Sequence, residues 1–124
     1  MDRTIDLDQA AAAIAERLPR WQALGLAAQP LTWRDETASW PRPLLTERAS
    51  VHDPDSVGLV LTGPNDTELH VVLFRGGWAD IDFCADADGD GDDFGSLPTP
   101  HFTSVAEFPA HLDRCVRRVW PSAV

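Results

Sequence analysis

The fold is decided by residues 57–83, VGLVLTGPNDTELHVVLFRGGWADIDF. Two apolar runs, 57–62 and 67–74, flank the turn sequence Gly-Pro-Asn-Asp. The turn Arg-Gly-Gly then separates the second run from an alternating segment, residues 78–83. Short apolar runs joined by such turns are typical of antiparallel strands connected by hairpins. The stretch therefore predicts a three-stranded antiparallel meander.

Strand alternation divides these side chains between two faces of the predicted sheet. One face is wholly apolar and must pack against another part of the chain; it contains Leu59, Leu61, Leu69, Val71, Leu73, Ile81 and Phe83. The other face mixes aromatic with acidic side chains and contains Val60, Thr62, Glu68, His70, Val72, Phe74, Trp78, Asp80 and Asp82. We expect this mixed face to meet solvent or a partner, unless residues 26–43 cover it.

An amphipathic helix is predicted at each end of the chain. The first begins at Leu7 after the capping residue Asp6, and Pro19 ends or kinks it. The last follows an S-x-x-E capping box, Ser104 to Glu107, and carries the apolar stripe that the sheet needs. Because Pro109 is tolerated only in the first turn, this helix kinks or begins later than the box indicates.

Further strands are predicted over residues 31–34 and, as an edge strand, over residues 44–51. The 124 residues then form a single α+β domain, residues 1–124. Its antiparallel sheet has four to five strands, and both helices pack on one face.

Composition narrows the classes of function. Twenty acidic and ten basic residues give a net charge of −10, which argues against binding nucleic acid or anionic membranes. The same charge favours a basic partner, although solubility alone is the competing explanation. No apolar run is long enough to span a membrane, and the N-terminus lacks a signal-peptide layout, so we expect a cytoplasmic protein. Cys84 and Cys115 lack metal-type spacing and are expected to be reduced.

An acidic loop is predicted over residues 84–95, where five aspartates alternate with small residues. The pattern from Asp86 to Gly91 matches the first half of an EF-hand calcium loop. The twelfth position, which requires a bidentate glutamate, is Leu97. We therefore expect no calcium binding.

Other chemical motifs are incomplete. His111 and Cys115 stand four apart on the last helix, but no third or fourth metal ligand accompanies them. Asp80 and Asp82 share one strand face and could serve acid–base chemistry, but the sequence implies no pocket around them. We therefore predict no catalytic residue, no metal and no cofactor, and the chain is not expected to be an enzyme.

The remaining candidate is a partner-binding surface, in which an aromatic anchor is bordered by carboxylates that steer a basic protein. Its predicted residues are Phe74, Trp78, Asp80, Asp82, Asp86, Asp88, Asp90, Asp92 and Asp93.

The chain resembles the immunity proteins of bacterial polymorphic and contact-dependent toxin systems. The resemblance lies in size, acidity, helix–meander–helix order, and the GGWADIDF strand with its closing S-V-x-E-F helix. It implies a cytoplasmic antitoxin that binds a cognate toxin domain, often a basic nuclease, and occludes its active site. We expect a monomer or homodimer. The alternatives are an acidic secretion chaperone for an effector and, third, a small-ligand binder or enzyme that uses Asp80 and Asp82.

Overall fold

Two helices flank the sheet in the computed structural model, which describes residues 4–85 and 93–121, with only the backbone of Asp93. Helix α1 spans Leu7–Ala23 and helix α2 spans Glu107–Val119. Asp6 Oδ1 accepts hydrogen bonds from two backbone N–H groups of the first turn of α1, at 3.0 and 3.2 Å, which confirms the predicted cap. Pro19 lies inside α1 and does not end it. Within the described ranges, no helix is long and apolar enough to cross a membrane.

The sheet has six antiparallel strands: β1 (Ala27–Ala28), β2 (Thr32–Asp35), β3 (Pro54–Thr62), β4 (Glu68–Phe74), β5 (Ala79–Ala85) and β6 (Asp93–Ser96). The strands β3, β4 and β5 form the predicted meander, in which Leu59, Val71 and Ile81 lie side by side. Strands β1 and β2 both pair with the other edge of β3, and β6 pairs with β5. The predicted strand at residues 31–34 is confirmed as β2.

The apolar face of the meander is buried, and both helices pack on it: α1 contacts β3, and α2 contacts β4 and β5. Phe108, Leu112 and Val116 of α2 are each at most 3 % exposed, so the predicted stripe faces the sheet. The α+β class with both helices on one face is therefore confirmed.

The predicted edge strand at residues 44–51 is wrong. Leu45 alone makes a bridge to Trp33, and Arg48–Ser50 forms a short 3-10 helix. The bridge lies on the outer edge of β2, and the pairing ends there because the chain forms the 3-10 helix three residues later. The predicted bounds of the acidic loop, 84–95, are also wrong. Cys84 and Ala85 continue β5 and pair with β6, so only residues 86–92, which lie outside the described ranges, separate the two strands.

Helix α2 begins later than the predicted capping box. Glu107, its first residue, accepts hydrogen bonds at Oε1 from Thr103 N at 3.1 Å and Thr103 Oγ1 at 2.5 Å. The reciprocal partner is therefore Thr103, not Ser104, since Ala106 occupies the cap position without a side-chain hydrogen bond. Pro109 then falls in the first turn, where its missing N–H leaves no intrahelical bond unmade.

The second sheet face carries no helix, and we call it the open face. Within residues 26–43, β1 and β2 extend the edge of the sheet by pairing with β3, and Arg34 lies over Phe74 at one end of the open face. Trp33 lies opposite Val57 on the helix side and is 4 % exposed. The open face includes the residues predicted, Val60, Thr62, Glu68, His70, Val72, Phe74, Trp78, Asp80 and Asp82, joined by Thr32, Arg34, Ser56, Gly58, Cys84, Phe94 and Ser96.

Candidate partner-binding surface

Three carboxylates of the open face lack a compensating arginine. Glu68 projects from β4, and Asp80 and Asp82 project from the neighbouring β5. The two aspartates are exposed and their Cα atoms stand about 7 Å apart, because alternate residues of a strand share a face. None of the three carboxylates forms an ion pair with an arginine in the described parts of the chain. The open face is therefore negatively charged.

Hydrogen bonds orient these acids and leave their charge in place. Ser96 Oγ donates to Asp82 Oδ1 at 2.7 Å, so β6 positions the carboxylate from the neighbouring strand. His70 Nε2 lies 3.0 Å from Glu68 Oε2, and His70 is also the cross-strand neighbour of Asp82. Neutral groups of this kind do not neutralise a carboxylate, and His70 adds a positive charge only when it is protonated.

Trp78 stands at one end of the open face, and its side chain is 49 % exposed. Its ring contacts that of His101, with centroids 5.5 Å apart. The backbone before it is fixed, because Gly77 has φ +104° and a Cβ there would overlap the carbonyl oxygen of Phe102. The Phe102 N–H also donates to Gly77 O at 2.6 Å. Trp78 is thus held in place while half of its surface meets solvent.

Phe74 is less available than predicted. It is half-buried, and its N–H donates to Trp78 O at 2.9 Å across the turn between β4 and β5. The Arg34 guanidinium lies 5.6 Å from the ring centroid of Phe74, in cation–π contact. Phe74 therefore supports the surface beside Trp78, and its ring is partly covered by the chain's own arginine.

A buried ion network adjoins the Trp78 end of the sheet, and no sequence pattern predicted it. Asp55 is fully buried; Arg34 Nε donates to its carboxylate at 2.9 Å, and Arg42 Nη1 lies 3.5 Å from it. Arg42 Nη1 also lies 3.7 Å from a Glu36 oxygen. Arg75, the third arginine, is 7 % exposed and donates to Asp53 at 3.0 Å. These residues are scattered over positions 34–75, so no spacing rule could have grouped them.

Asp35 forms hydrogen bonds to both ends of the segment that follows β2, residues 36–52. Its carboxylate accepts hydrogen bonds from His52 N at 2.8 Å, Thr37 Oγ1 at 2.7 Å, Thr37 N at 2.9 Å and Asp53 N at 3.2 Å. These bonds, that of His52 foremost, hold the pKa of Asp35 well below its usual value. The carboxylate is therefore ionised at neutral pH, and it joins both ends of residues 36–52.

Two further features of the described residues bear on metals and small molecules: His111 and a cleft away from Asp80 and Asp82. His111 is half-buried, with its ring edge-on to Phe102, and burial and then the charge of Arg114 lower the pKa of His111. No group of three or more His, Cys, Asp or Glu among the described residues could hold a metal ion. A cleft of about 580 Å³ is lined by both helix N-termini, Arg48 and Arg75, and does not include Asp80 or Asp82.

The two cysteines are expected to differ in reactivity. Burial raises the pKa of the Cys115 thiol to about 11, so almost no thiolate exists at pH 8, whereas Cys84 is a free thiol at the half-buried margin of the open face. A thiol reagent at pH 8 should modify one cysteine in the folded protein and the second only after unfolding. Cys84→Ser is the control and should abolish the fast reaction. Two fast-reacting thiols in the folded protein would contradict this.

Of the predicted partner-binding residues, the structure brings Phe74, Trp78, Asp80 and Asp82 together on the open face. Asp86, Asp88, Asp90 and Asp92 lie outside the described residues, as does the side chain of Asp93. Their assignment, and the absence of calcium binding, remain predictions. No protein-family model, curated protein or solved structure matches the chain, so the family resemblance rests on the sequence features alone.

Proposed function

We propose that this chain is the immunity protein of a bacterial toxin system, which binds a basic toxin domain in the cytoplasm of the producing cell and occludes its active site. The observation that carries the proposal is the open face, where a held and half-exposed Trp78 shares the face with three carboxylates that no described arginine compensates. Inhibition by occlusion involves no chemical step by this chain.

The open face carries features that do not stabilise the fold. The helix side of the sheet supplies the core, while the open face leaves a tryptophan half in water and sets acids on adjacent strands. Like charges on one sheet face repel modestly, and an exposed indole forgoes burial, so neither feature helps the fold. Both help binding: aromatic side chains are frequent interface anchors, and charge raises the rate of encounter with an oppositely charged partner.

A genetic experiment tests the function. An immunity gene should adjoin a toxin gene, and expression of that toxin alone should stop growth unless this chain is co-expressed. Rescue by the wild-type chain, with a one-to-one complex in purified form, is the expected result. If the neighbouring product is not toxic but its secretion fails without this chain, the protein is instead a secretion chaperone.

Trp78→Ala should weaken binding of the toxin domain about thirtyfold, which corresponds to about 2 kcal/mol. The fold should persist, because the side chain is only half-buried. Binding is measured by calorimetry and folding by thermal denaturation of the free chain. An unchanged affinity, or an unfolded variant, would show that Trp78 is not the anchor.

Two double variants that each remove two negative charges test whether the acids of the open face raise the association rate. Asp80→Asn combined with Asp82→Asn should slow association several-fold at low salt, with a smaller effect at high salt, because exposed charges are screened. Glu16→Gln combined with Asp66→Asn removes the same number of charges from exposed positions off the open face. This control should change the association rate less. Equal effects of the two pairs would assign the steering to net charge and not to the open face.

A further inference from the structure

Two of the five tryptophans are exposed to solvent, and the other three are buried in the core. Trp21, Trp33 and Trp120 are at most 6 % exposed, whereas Trp40 is 78 % exposed and Trp78 is 49 % exposed. Trp40 lies in the loop of residues 36–47, which also carries Leu44 at 66 % exposure. A single exposed apolar side chain needs no explanation, but this short loop exposes two large apolar side chains within five residues.

The loop is anchored at both ends and in its middle. Asp35 binds the loop start through Thr37 and its far side through His52 and Asp53. Leu45 and Trp33 exchange two backbone hydrogen bonds, at 2.7 and 2.8 Å. Near the tip, Arg42 reaches the buried Asp55. Because the backbone on either side of Trp40 is already fixed, its burial against a partner would cost little ordering entropy.

The tip of this loop connects to the open face by direct contacts. The Arg42 guanidinium lies 5.9 Å from the ring centroid of Trp40, and Arg42 shares Asp55 with Arg34. Arg34 in turn lies over Phe74, which is hydrogen-bonded to Trp78. The order of contacts is Trp40, Arg42, Asp55, Arg34, Phe74 and Trp78. Both exposed tryptophans therefore belong to one end of the sheet.

Charge identifies the kind of occupant. Arg34 and Arg42 would repel a basic protein if they were free, but Asp55 pairs with both of them and Glu36 pairs with Arg42. The carboxylates of the open face have no such arginine partner. The combined surface is thus apolar at one end and negative at the other. A second copy of this chain, with its net charge of −10, would bring like charges together.

We propose that the loop of residues 36–47 is the second half of the partner-binding surface, and that Trp40 inserts into an apolar recess of the same basic toxin domain. The inference rests on the proposed function and adds to it a second anchor on a separate segment of the chain. Two tryptophans anchored independently, with acids beside one of them, define the orientation in which the toxin domain docks.

The test is the affinity of Trp40→Ala for the purified toxin domain encoded beside this chain's gene, with the toxin's catalytic residue inactivated. We expect affinity to fall about tenfold or more, chiefly through faster dissociation, as for a desolvated anchor. Leu44→Ala is the matched control, since it removes an exposed apolar side chain from the same loop; affinity should change less than about threefold. Thermal denaturation should show both variants to be folded.

The outcomes separate this inference from the proposed function. If Trp78→Ala weakens binding and Trp40→Ala does not, the toxin contacts the open face alone and the second anchor is wrong. If the wild-type chain does not bind the toxin domain, both proposals fail. Sedimentation of the free chain tests whether a second copy of the chain binds the loop instead. A homodimer that dissociates in the Trp40→Ala variant would show that the loop mediates self-association, and would overturn the inference.

Discussion

Asp55→Ala should lower the free energy of unfolding by about 3 kcal/mol. Removing one member of a buried ion pair strands the other charge, at a typical cost of about 3–5 kcal/mol. Asp55 is fully buried, but the side chains of Arg34 and Arg42 are 28 % and 25 % exposed, so water can solvate part of the charge left behind. The expected loss is therefore at the lower end of that range, measured by urea denaturation at pH 7.

The control is an ion pair of equally short distance at the surface. Asp8 and Arg48 approach to 2.7 Å, but their side chains are 57 % and 40 % exposed. Asp8→Ala should cost less than about 1 kcal/mol, as exposed pairs do. Asp55→Asn adds a second test, because it keeps the shape of the side chain and removes its charge. A loss below about 1 kcal/mol for Asp55→Ala would mean that the network does not stabilise the fold.

Leu112→Ala is expected to lower the free energy of unfolding by about 2–5 kcal/mol, the range for truncating a buried leucine. Leu112 is 1 % exposed on the inner face of α2, which packs on β4 and β5. The substitution removes apolar contacts and leaves a cavity that the rigid sheet beneath it can fill only in part. The change is measured in the same denaturation experiment.

Leu44→Ala makes the same chemical change at an exposed site. Leu44 is 66 % exposed, so the free energy of unfolding should change by less than about 0.5 kcal/mol. Because both variants make the same chemical change, the difference between their losses of unfolding free energy reports the effect of burial. A loss below about 0.5 kcal/mol at Leu112 is incompatible with the packing of α2 on the sheet.

The meander, its two faces and the two helices could all be predicted from the amino-acid sequence. These follow from local rules: side chains alternate along a strand, glycine and proline turns separate the runs, and the stripe of α2 repeats every three or four residues. The apolar set of residues 59–83 was correct at every position because a one-residue error would have exposed the whole core. The same alternation placed Trp78, Asp80 and Asp82 together on the open face.

Rules based on local sequence gave the wrong secondary structure for residues 44–51. Residues 44–51 have the composition of a strand, but Leu45 is the one residue of the segment that pairs, with Trp33 at the outer edge of β2, and a 3-10 helix follows at Arg48. The start of α2, by contrast, follows a local rule: Pro109 fits only in the first turn, and the helix begins later than the capping box, as predicted. The error at residues 44–51 arises because composition does not determine which residues of a segment find a hydrogen-bond partner.

Which tryptophans are exposed, and what surrounds them, depends on how distant parts of the chain pack together. Trp33 and Trp40 stand seven residues apart among similar neighbours, yet one is 4 % and the other 78 % exposed, because β2 pairs with β3 and the following loop turns outward. Asp55 acquires Arg34 through the pairing of β2 with β3 and Arg42 through the loop that follows β2, and no spacing in the sequence indicates either contact. Burial and ion pairing are properties of positions in space, and these are fixed only when distant segments pack together.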